Sequence, residues 1–375
     1  MKNIKNPFLT NTYQGPEYFC NRVDETKRII SNIKSGNSTT LMAIRRIGKT
    51  GLIKHVFNEM PSNWKGIYID ILETENLNQF LNVFSTAILN AIPEKSTFGQ
   101  SLWKFFKSLR PVIKFDALTG KPQAMFDLEK DDVANNITYV LQFLGKQDFK
   151  IVIAIDEFQQ ILNYPEKNIE SWLRTRIQQL KNVVFVFSGS QQHLMEQIFT
   201  LPSRPFFRSS LILKLGKINK EDYIKFIENQ FKKYNKEISL NHANDIIEWC
   251  NAHTYYVQLL CNRTFEVTEK KLKEETWKKQ AFLLLKEQED VFFSIRSMLT
   301  KPQWQLLKAI AHEGIVFMPT SNLFLSKYGL GTSATVIRSL KSLKSYQLIY
   351  EEFDENGKKY YSVYDLFFQR WVEGK

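Results

Sequence analysis

Gly48, Lys49 and Thr50, in the stretch LMAIRRIGKTGLIKH (41–55), have the types and order that hold phosphate. A tight turn between a strand and a helix aims backbone N–H groups at phosphate oxygens. The lysine reaches the β- and γ-phosphates, and the neighbouring hydroxyl suits Mg2+. The pattern G-x-x-x-x-G-K-[ST] asks for glycine at position 43, where this chain has Ala43. Glycine there eases the strand-to-loop turn, whereas Gly48 lets the backbone approach phosphate closely. Ala43 is therefore expected to cost turn geometry rather than phosphate contacts. The competing reading is a strand, a turn and a helix that carry GKT by chance.

A second stretch, FKIVIAIDEFQQI (149–161), has five successive apolar residues that end in Asp156 and Glu157. A buried strand that delivers two carboxylates at its C-terminal edge puts them where ligands bind in open α/β sheets. Asp156 then suits Mg2+ through its water shell, and Glu157 suits an attacking water. A third run, NVVFVFSGS (182–190), ends in Ser188, Gly189 and Ser190. A hydroxyl there can orient water or touch the γ-phosphate, with Ser190 better placed than Ser188. Plain turn chemistry is the alternative for both serines.

These groups need elements to position them. STTLMAI (38–44), KGIYIDI (65–71) and the two runs above are short and β-branched or aromatic, and each precedes a helical pattern. Strands separated by helices predict an α/β fold: a parallel sheet covered by helices on both faces. The order is interrupted over 107–130, where the LTGKP turn joins two alternating segments into an expected inserted hairpin. From 219 to about 290 the pattern is helical. Beyond 299 come further helices and then LIYEEFDENGKKYYSVYD, with Asn356-Gly357 as the expected turn of a hairpin.

Composition narrows the class. The 375 residues are 43% hydrophobic and 24% charged, with a net charge of +12, as for a multidomain globular protein. The excess charge suits an acidic partner such as nucleic acid, and equally a lysine-rich solvated surface. No apolar run reaches bilayer length, and the first residues lack the apolar core of a secretory signal. Cys20, Cys250 and Cys261 lack metal or redox spacing, which suits reduced thiols and a cytoplasmic location.

In combination, NRVDE around Arg22, IRRIGKT, IAIDEFQ and FSGS resemble the archaeal-type ATPases of the AAA+/STAND P-loop group, from about 19 to 371. The resemblance implies a P-loop NTPase core with a helical lid and a C-terminal winged helix. It implies ATP and Mg2+ as cofactors and hydrolysis to ADP. Phe19, Arg22 and Glu25 match a segment that lies against the nucleotide base in that family, with Asn21 in place of a usual glycine. Arg45 and Arg46 match its variant loop, so that Arg45, Arg46, Ile47, Gly48, Lys49, Thr50 and Gly51 become the nucleotide-binding set. Thr50 and Asp156 become the metal pair, and Glu157 and Ser190 the hydrolytic residues. An arginine follows the serine strand in the family. Here SRPFFRSS offers Arg204 and Arg208, and the sequence leaves the choice open.

NAHTYYVQLLCN (251–262) resembles the family's lid segment, with Tyr255, Tyr256 and Gln258 matched and core packing the expected role of the tyrosines. In the winged helix, Val336, Ile337, Leu340 and Leu343 form the expected inward stripe of its third helix. Arg338, Lys341 and Ser345 face away, as a groove-reading helix requires, and Lys358 and Lys359 sit near the wing tip. Glu351, Glu352, Asp354 and Glu355 on the same hairpin repel phosphate, so DNA and a protein both stand as partners. The expected domains are 1–215 (core), 216–295 (lid) and 296–375 (winged helix). The reading is an ATPase that couples nucleotide state to a winged-helix contact. A nucleotide-loaded switch with little turnover and a DNA-binding protein with an accessory ATPase are the alternatives.

Overall fold

The computed structural model describes residues 5–374 except 12, 93, 95, 110, 117–118, 127–129 and 355. Leu118 of the expected hairpin turn and Glu355 of the wing therefore lie outside the described residues. The chain forms two compact units: Asn11–Ile218, and the described residues up to Thr10 together with those from Asn219 onward. The α/β region was expected to run from residue 1. Phe8, however, is fully buried in the second unit, against the rings of Phe226, Phe231 and Phe265.

In the first unit the order is α1 (Val23–Lys34), β1 (Thr39–Met42), α2 (Lys49–Glu59), β2 (Lys65–Asp70), α3 (Leu77–Ala91) and α4 (Thr97–Ser108). The inserted hairpin follows as β3 (Val112–Phe115) and β4 (Pro122–Met125), then α5 (Lys130–Gly145), β5 (Ile151–Asp156), α6 (Ile169–Gln178), β6 (Val183–Gly189), α7 (Gln192–Thr200) and β7 (Leu211–Lys214). A five-stranded sheet of order β2-β5-β6-β1-β7 is parallel throughout.

Alternation along the central strands divides the core. Ile151, Ile153 and Ile155 of β5 join Phe185 and Phe187 of β6 on the face covered by α3, α5 and α7. Val152, Ala154, Val184 and Val186 pack on the other face with Ile29 and Ile33 of α1 and Leu52, Ile53 and Val56 of α2. Each of the Val, Leu, Ile and Phe side chains contributes about 1.5–3 kcal/mol when fully buried. That is why a continuous apolar run, rather than an alternating one, marks these strands. The strand β7 had no strong signature: it is short, and Leu211 and Lys214 are exposed. Its pairing with β1 (Thr39↔Leu211) is tertiary in origin.

The inserted hairpin forms as expected, with Val112 opposite Met125 and Phe115 opposite Pro122. Side chains of α3 close the outer edge of β4: Ala124 N donates to Thr86 Oγ1 at 3.0 Å and Phe126 N to Asn82 Oδ1 at 2.8 Å.

The second unit contains α8 (Lys220–Lys233), α9 (Leu240–Trp249), α10 (Thr254–Val267), α11 (Glu274–Glu287) and α12 (Glu289–Met298). It continues through α13 (Lys301–Glu313), α14 (Asn322–Tyr328), α15 (Ser333–Ser345), the hairpin β8 (Ile349–Phe353) and β9 (Lys359–Val363), and α16 (Leu366–Glu373). Tyr256 is buried, as expected of a core residue. Its hydroxyl donates to Asp365 Oδ1 and accepts from Leu366 N, both at 3.1 Å, which ties α10 to the cap of α16.

One expectation fails here. Val336, Leu340 and Leu343 are buried, but Ile337 is 58% exposed. Ser339 takes the fourth inward place, because the buried stripe follows 336, 339, 340 and 343. The expected hairpin forms, with Asn356-Gly357 in its loop and Gly357 at φ 73°. The loop between β8 and β9 spans 354–358, and Asp354 Oδ1 accepts from Asn356 N and Lys358 N.

Candidate phosphate-binding site

The loop from β1 into α2 builds the site. Gly48 has φ 102° and Arg46 has φ 61°, both left-handed, whereas Ala43 is not among the described residues with positive φ. The expected cost of Ala43 in turn geometry is thus absent: the position has ordinary backbone, and glycine's freedom is needed only at Gly48. The loop's unusual conformation falls on Arg46 instead. The N–H groups of Lys49, Thr50 and Gly51 open α2 ahead of its first helical bond, which Leu52 N makes to Gly48 O at 2.9 Å. By helix geometry they have no intrahelical acceptor, so they can meet an anion.

Lys49 is buried and folds back along the loop, with Nζ donating to Ile44 O at 3.2 Å and Ala43 O at 3.4 Å. Burial lowers its pKa, Asp156 and Glu157 oppose that shift, and Arg45 adds to it. Arg45 and Arg46 lie exposed on the loop.

Arg22 pins the loop from beneath. It is 5% exposed, and Nη2 donates to Gly216 O at 2.8 Å and Ile47 O at 3.4 Å while Nη1 pairs with Glu25 at 2.9 Å. These contacts occupy the guanidinium with backbone. Phe19 stacks on His55 with centroids 4.4 Å apart, and a Cβ on Gly51 would lie 3.4 Å from its ring.

Strand register brings the carboxylates to this loop. β5 and β6 lie side by side and β6 pairs with β1, so that Asp156, Ser188 and Leu41 fall near one level of the C-terminal edge. Asp156 is buried and accepts four bonds: Thr50 Oγ1 (2.7 Å) and Tyr68 Oη (2.8 Å) on Oδ2, Glu157 N (3.1 Å) and Ser188 Oγ on Oδ1. Burial, with Asp156 next, pushes the Tyr68 phenol far above its ordinary range, so it remains a donor. Glu157 sits in a left-handed turn (φ 55°), and its Oε2 accepts from Gln159 Nε2 (2.6 Å), Ser190 Oγ (2.8 Å) and Ser190 N (3.1 Å).

The two serines thus divide the carboxylates, Ser188 to Asp156 and Ser190 to Glu157. Sequence reasoning missed Tyr68 and Gln159. Tyr68 reads as one more aromatic in a strand, and only the parallel pairing of β2 with β5 (Tyr68↔Ala154) aims it at the site. Gln159 stands two residues after Glu157 in IDEFQ, and that proximity was the available signal.

The remaining candidates are dispersed. Arg204 is engaged with Glu170 of α6 at 2.5 Å. Arg208 is exposed with φ 51°, its guanidinium 5.1 Å from the centre of the Phe207 ring. In the second unit Arg338, Lys341, Lys358 and Lys359 are all exposed. Lys359 lies 3.5 Å and Lys344 2.7 Å from Glu351, and Lys358 stands 4.6 Å over the Phe317 ring.

Comparison with known proteins follows this geometry. Residues 19–260 match the family described as "ATPase domain predominantly from Archaea", and residues 290–374 match a "Probable winged helix domain". No curated protein matches the chain. Among solved structures, the Walker-type ATPase PABY2304 of Pyrococcus abyssi is 18% identical over 98% of this chain and 99% of its own, with a TM-score of 0.67. The Aeropyrum pernix ORC2 protein, solved in ADPNP–ADP complexes, is 13% identical over 98% and 95%, with a TM-score of 0.60. The Aeropyrum pernix ORC1 protein in complex with DNA is 13% identical over 98% and 96%, with a TM-score of 0.51. At these identities the structural likeness concerns the fold.

Proposed function

The chain belongs to the family of ATPase domains found predominantly in Archaea, and we propose that it binds ATP with Mg2+ and hydrolyses it, as a STAND-type AAA+ protein. The observation that carries this reading is the meeting of Thr50 with Asp156, beside Lys49 on one side and Glu157 on the other. In a P-loop site the loop amides from Ile47 to Gly51 and Lys49 hold the phosphates, with Arg22 keeping the loop in place. Arg45 and Arg46, exposed on the same loop, complete the nucleotide-binding set in this reading.

The residues fit Mg2+. Thr50 Oγ1 and Asp156 Oδ2 are hard oxygen ligands at the helix start and strand end. Among the described residues no group of three or more His, Cys, Asp or Glu could cage a metal. That suits an ion carried largely by nucleotide phosphates and water. When bound, Mg2+ neutralises phosphate charge. Glu157 accepts a proton from the attacking water, and Ser190 holds the Glu157 carboxylate. Either Arg204 or Arg208 would stabilise the charge of the transferring group. Arg208 is the better candidate, because Arg204 is already paired with Glu170.

We divide the second unit from Asn219 onward into a helical part (219–295, where the lid was expected from 216) and a winged helix (296–375) that act together, since Tyr256 joins α10 to Asp365. Nucleotide state would then change what the winged helix contacts. DNA is a partner class with a specific observation behind it: Arg338 and Lys341 are exposed on α15, and Lys344 and Lys359 flank Glu351, which offsets its repulsion. Among the described residues no helix is long and apolar enough to cross a membrane, and we place the reaction in the cytoplasm.

Phosphate release by wild type and Glu157→Gln tests the reading. Loss of a positioned general base should slow turnover by about 10²-fold or more. Equal, slow release from both would instead identify a nucleotide-loaded switch.

A further inference from the structure

We propose that Gln159 is a positioning residue for hydrolysis: its amide, together with Ser190, locks one oxygen of Glu157 so that the other is kept for the attacking water. This deepens the hydrolytic reading and rests on it. The geometry is specific to one carboxylate oxygen. Gln159 Nε2, Ser190 Oγ and Ser190 N all donate to Glu157 Oε2, at 2.6, 2.8 and 3.1 Å. Among the described residues no donor meets Oε1. With three donors from two segments on a single oxygen, the carboxylate has little freedom to rotate, and the free oxygen keeps its lone pairs for a proton.

Gln159 is costly as a plain core residue. It is 2% exposed, and its own Oε1 is buried without a hydrogen-bond partner. An orphaned buried carbonyl is unfavourable, and an apolar side chain of similar size would fill the space without that penalty. What the position gains from glutamine is the N–H donor toward Glu157. The opposite orientation of the amide would set its oxygen against the carboxylate oxygen, so the hydrogen-bond pattern itself fixes the assignment.

A second place in the chain makes room for it. Gly189 ends β6, and a Cβ there would lie 2.1 Å from Gln159 Oε1 and 2.7 Å from Met195 Sδ. Any larger residue at 189 would drive the Gln159 side chain off its present path. The left-handed residue Glu157 completes the arrangement: the chain leaves β5 there, and Gln159 comes to lie against Gly189 at the end of β6. Gln159 touches neither nucleotide nor water in this scheme. It acts through Glu157.

The test uses the full-length protein, with Gln159→Leu and Gln159→Met each made alone and on a Glu157→Gln background. A positioned base supplies about 10²–10⁴-fold, so losing its orientation should lower kcat by about tenfold or more. KM for ATP and the equilibrium affinity for a fluorescent ATP analogue should stay within about twofold, because phosphate is held elsewhere. On the Glu157→Gln background either Gln159 change should cost nothing further, since contacting residues that act as one unit are not additive. Unchanged kcat in both single variants, a loss expressed as weaker nucleotide binding, or an added loss on the Glu157→Gln background would each overturn the proposal. If wild type hydrolyses ATP and the Gln159 variants match it, only this inference falls. If Glu157→Gln does not slow wild-type turnover, the hydrolytic reading falls with it.

Discussion

The Thr50 hydroxyl donates to Asp156 Oδ2 over 2.7 Å, across 106 positions of sequence. This bond joins the first turn of α2 to the last residue of β5, and Tyr68 reinforces it from β2 on the same oxygen at 2.8 Å. Replacing Asp156 by Asn turns an acceptor of four bonds into a group with one acceptor and one donor end. At least one of the four donors then faces an N–H. Apo stability should fall by about 1–3 kcal/mol in urea denaturation. The same variant should bind a fluorescent nucleotide equally well with Mg2+ and with EDTA. An unchanged unfolding midpoint would show that the four-donor arrangement does not form.

Lys49 should behave in the opposite sense. Its pKa is lowered chiefly by burial, so the folded state holds its charged form less favourably than the unfolded chain does. Lys49→Met removes that penalty. The apo variant should melt no lower than wild type, yet lose the stabilisation that Mg·ATP gives wild type. The sign with pH follows from the depressed value. Between the folded pKa and the ordinary 10.5 the unfolded chain binds the extra proton, so the contribution of Lys49 improves as pH rises through that window. The advantage of Lys49→Met should therefore narrow as pH approaches 10.5, as followed by thermal melts.

Arg22 separates an effect on the loop from an effect on the base. Its guanidinium holds Ile47 O, Gly216 O and Glu25 together. Arg22→Ala should cost about 1–3 kcal/mol in urea denaturation, because it strips buried carbonyls of a donor. Arg22→Lys should recover little, since one ammonium cannot reproduce the planar fork. Affinities for ATP and GTP should fall by a common factor. A changed ATP/GTP ratio would place Arg22 against the base, as the family resemblance implies, and not beneath the loop.

What could be read from the sequence depended on how local the cause was. Three central strands, β1, β5 and β6, announced themselves because both faces of each are buried, and the edge strand β2 was marked by its alternating apolar residues. Gly48-Lys49-Thr50 and Asp156-Glu157 stood out because their chemistry is concentrated in adjacent residues. Tyr68 and Gln159 did not, since each matters only through a neighbour that strand pairing or a turn delivers. Ala43 looked like a defect because the motif names a glycine, but the left-handed backbone falls at Arg46 and Gly48. Ile337 was assigned inward from a run of apolar residues, whereas helical rotation gives that place to Ser339. The strand β7 depends on β1 for its existence and has no comparable local signal.

The winged helix presents cations and carboxylates close together, so the proposed contact with DNA can be tested charge by charge. Arg338 and Lys341 stand on the outer side of α15, where Ile337 is also exposed. Lys359 is shared with Glu351, which Lys344 also approaches. Each cation that neutralises a phosphate contributes about 0.9 to the slope of log affinity against log salt. Arg338→Ala and Lys341→Ala should each weaken duplex binding and flatten that slope by about one phosphate's worth in fluorescence anisotropy. Lys359→Ala should change it less, because Glu351 competes for that ammonium. Glu351→Gln should strengthen binding by removing repulsion and releasing Lys344 and Lys359. If neither α15 variant alters the slope, the exposed Ile337 and its neighbours on α15 belong to a protein contact instead of to DNA.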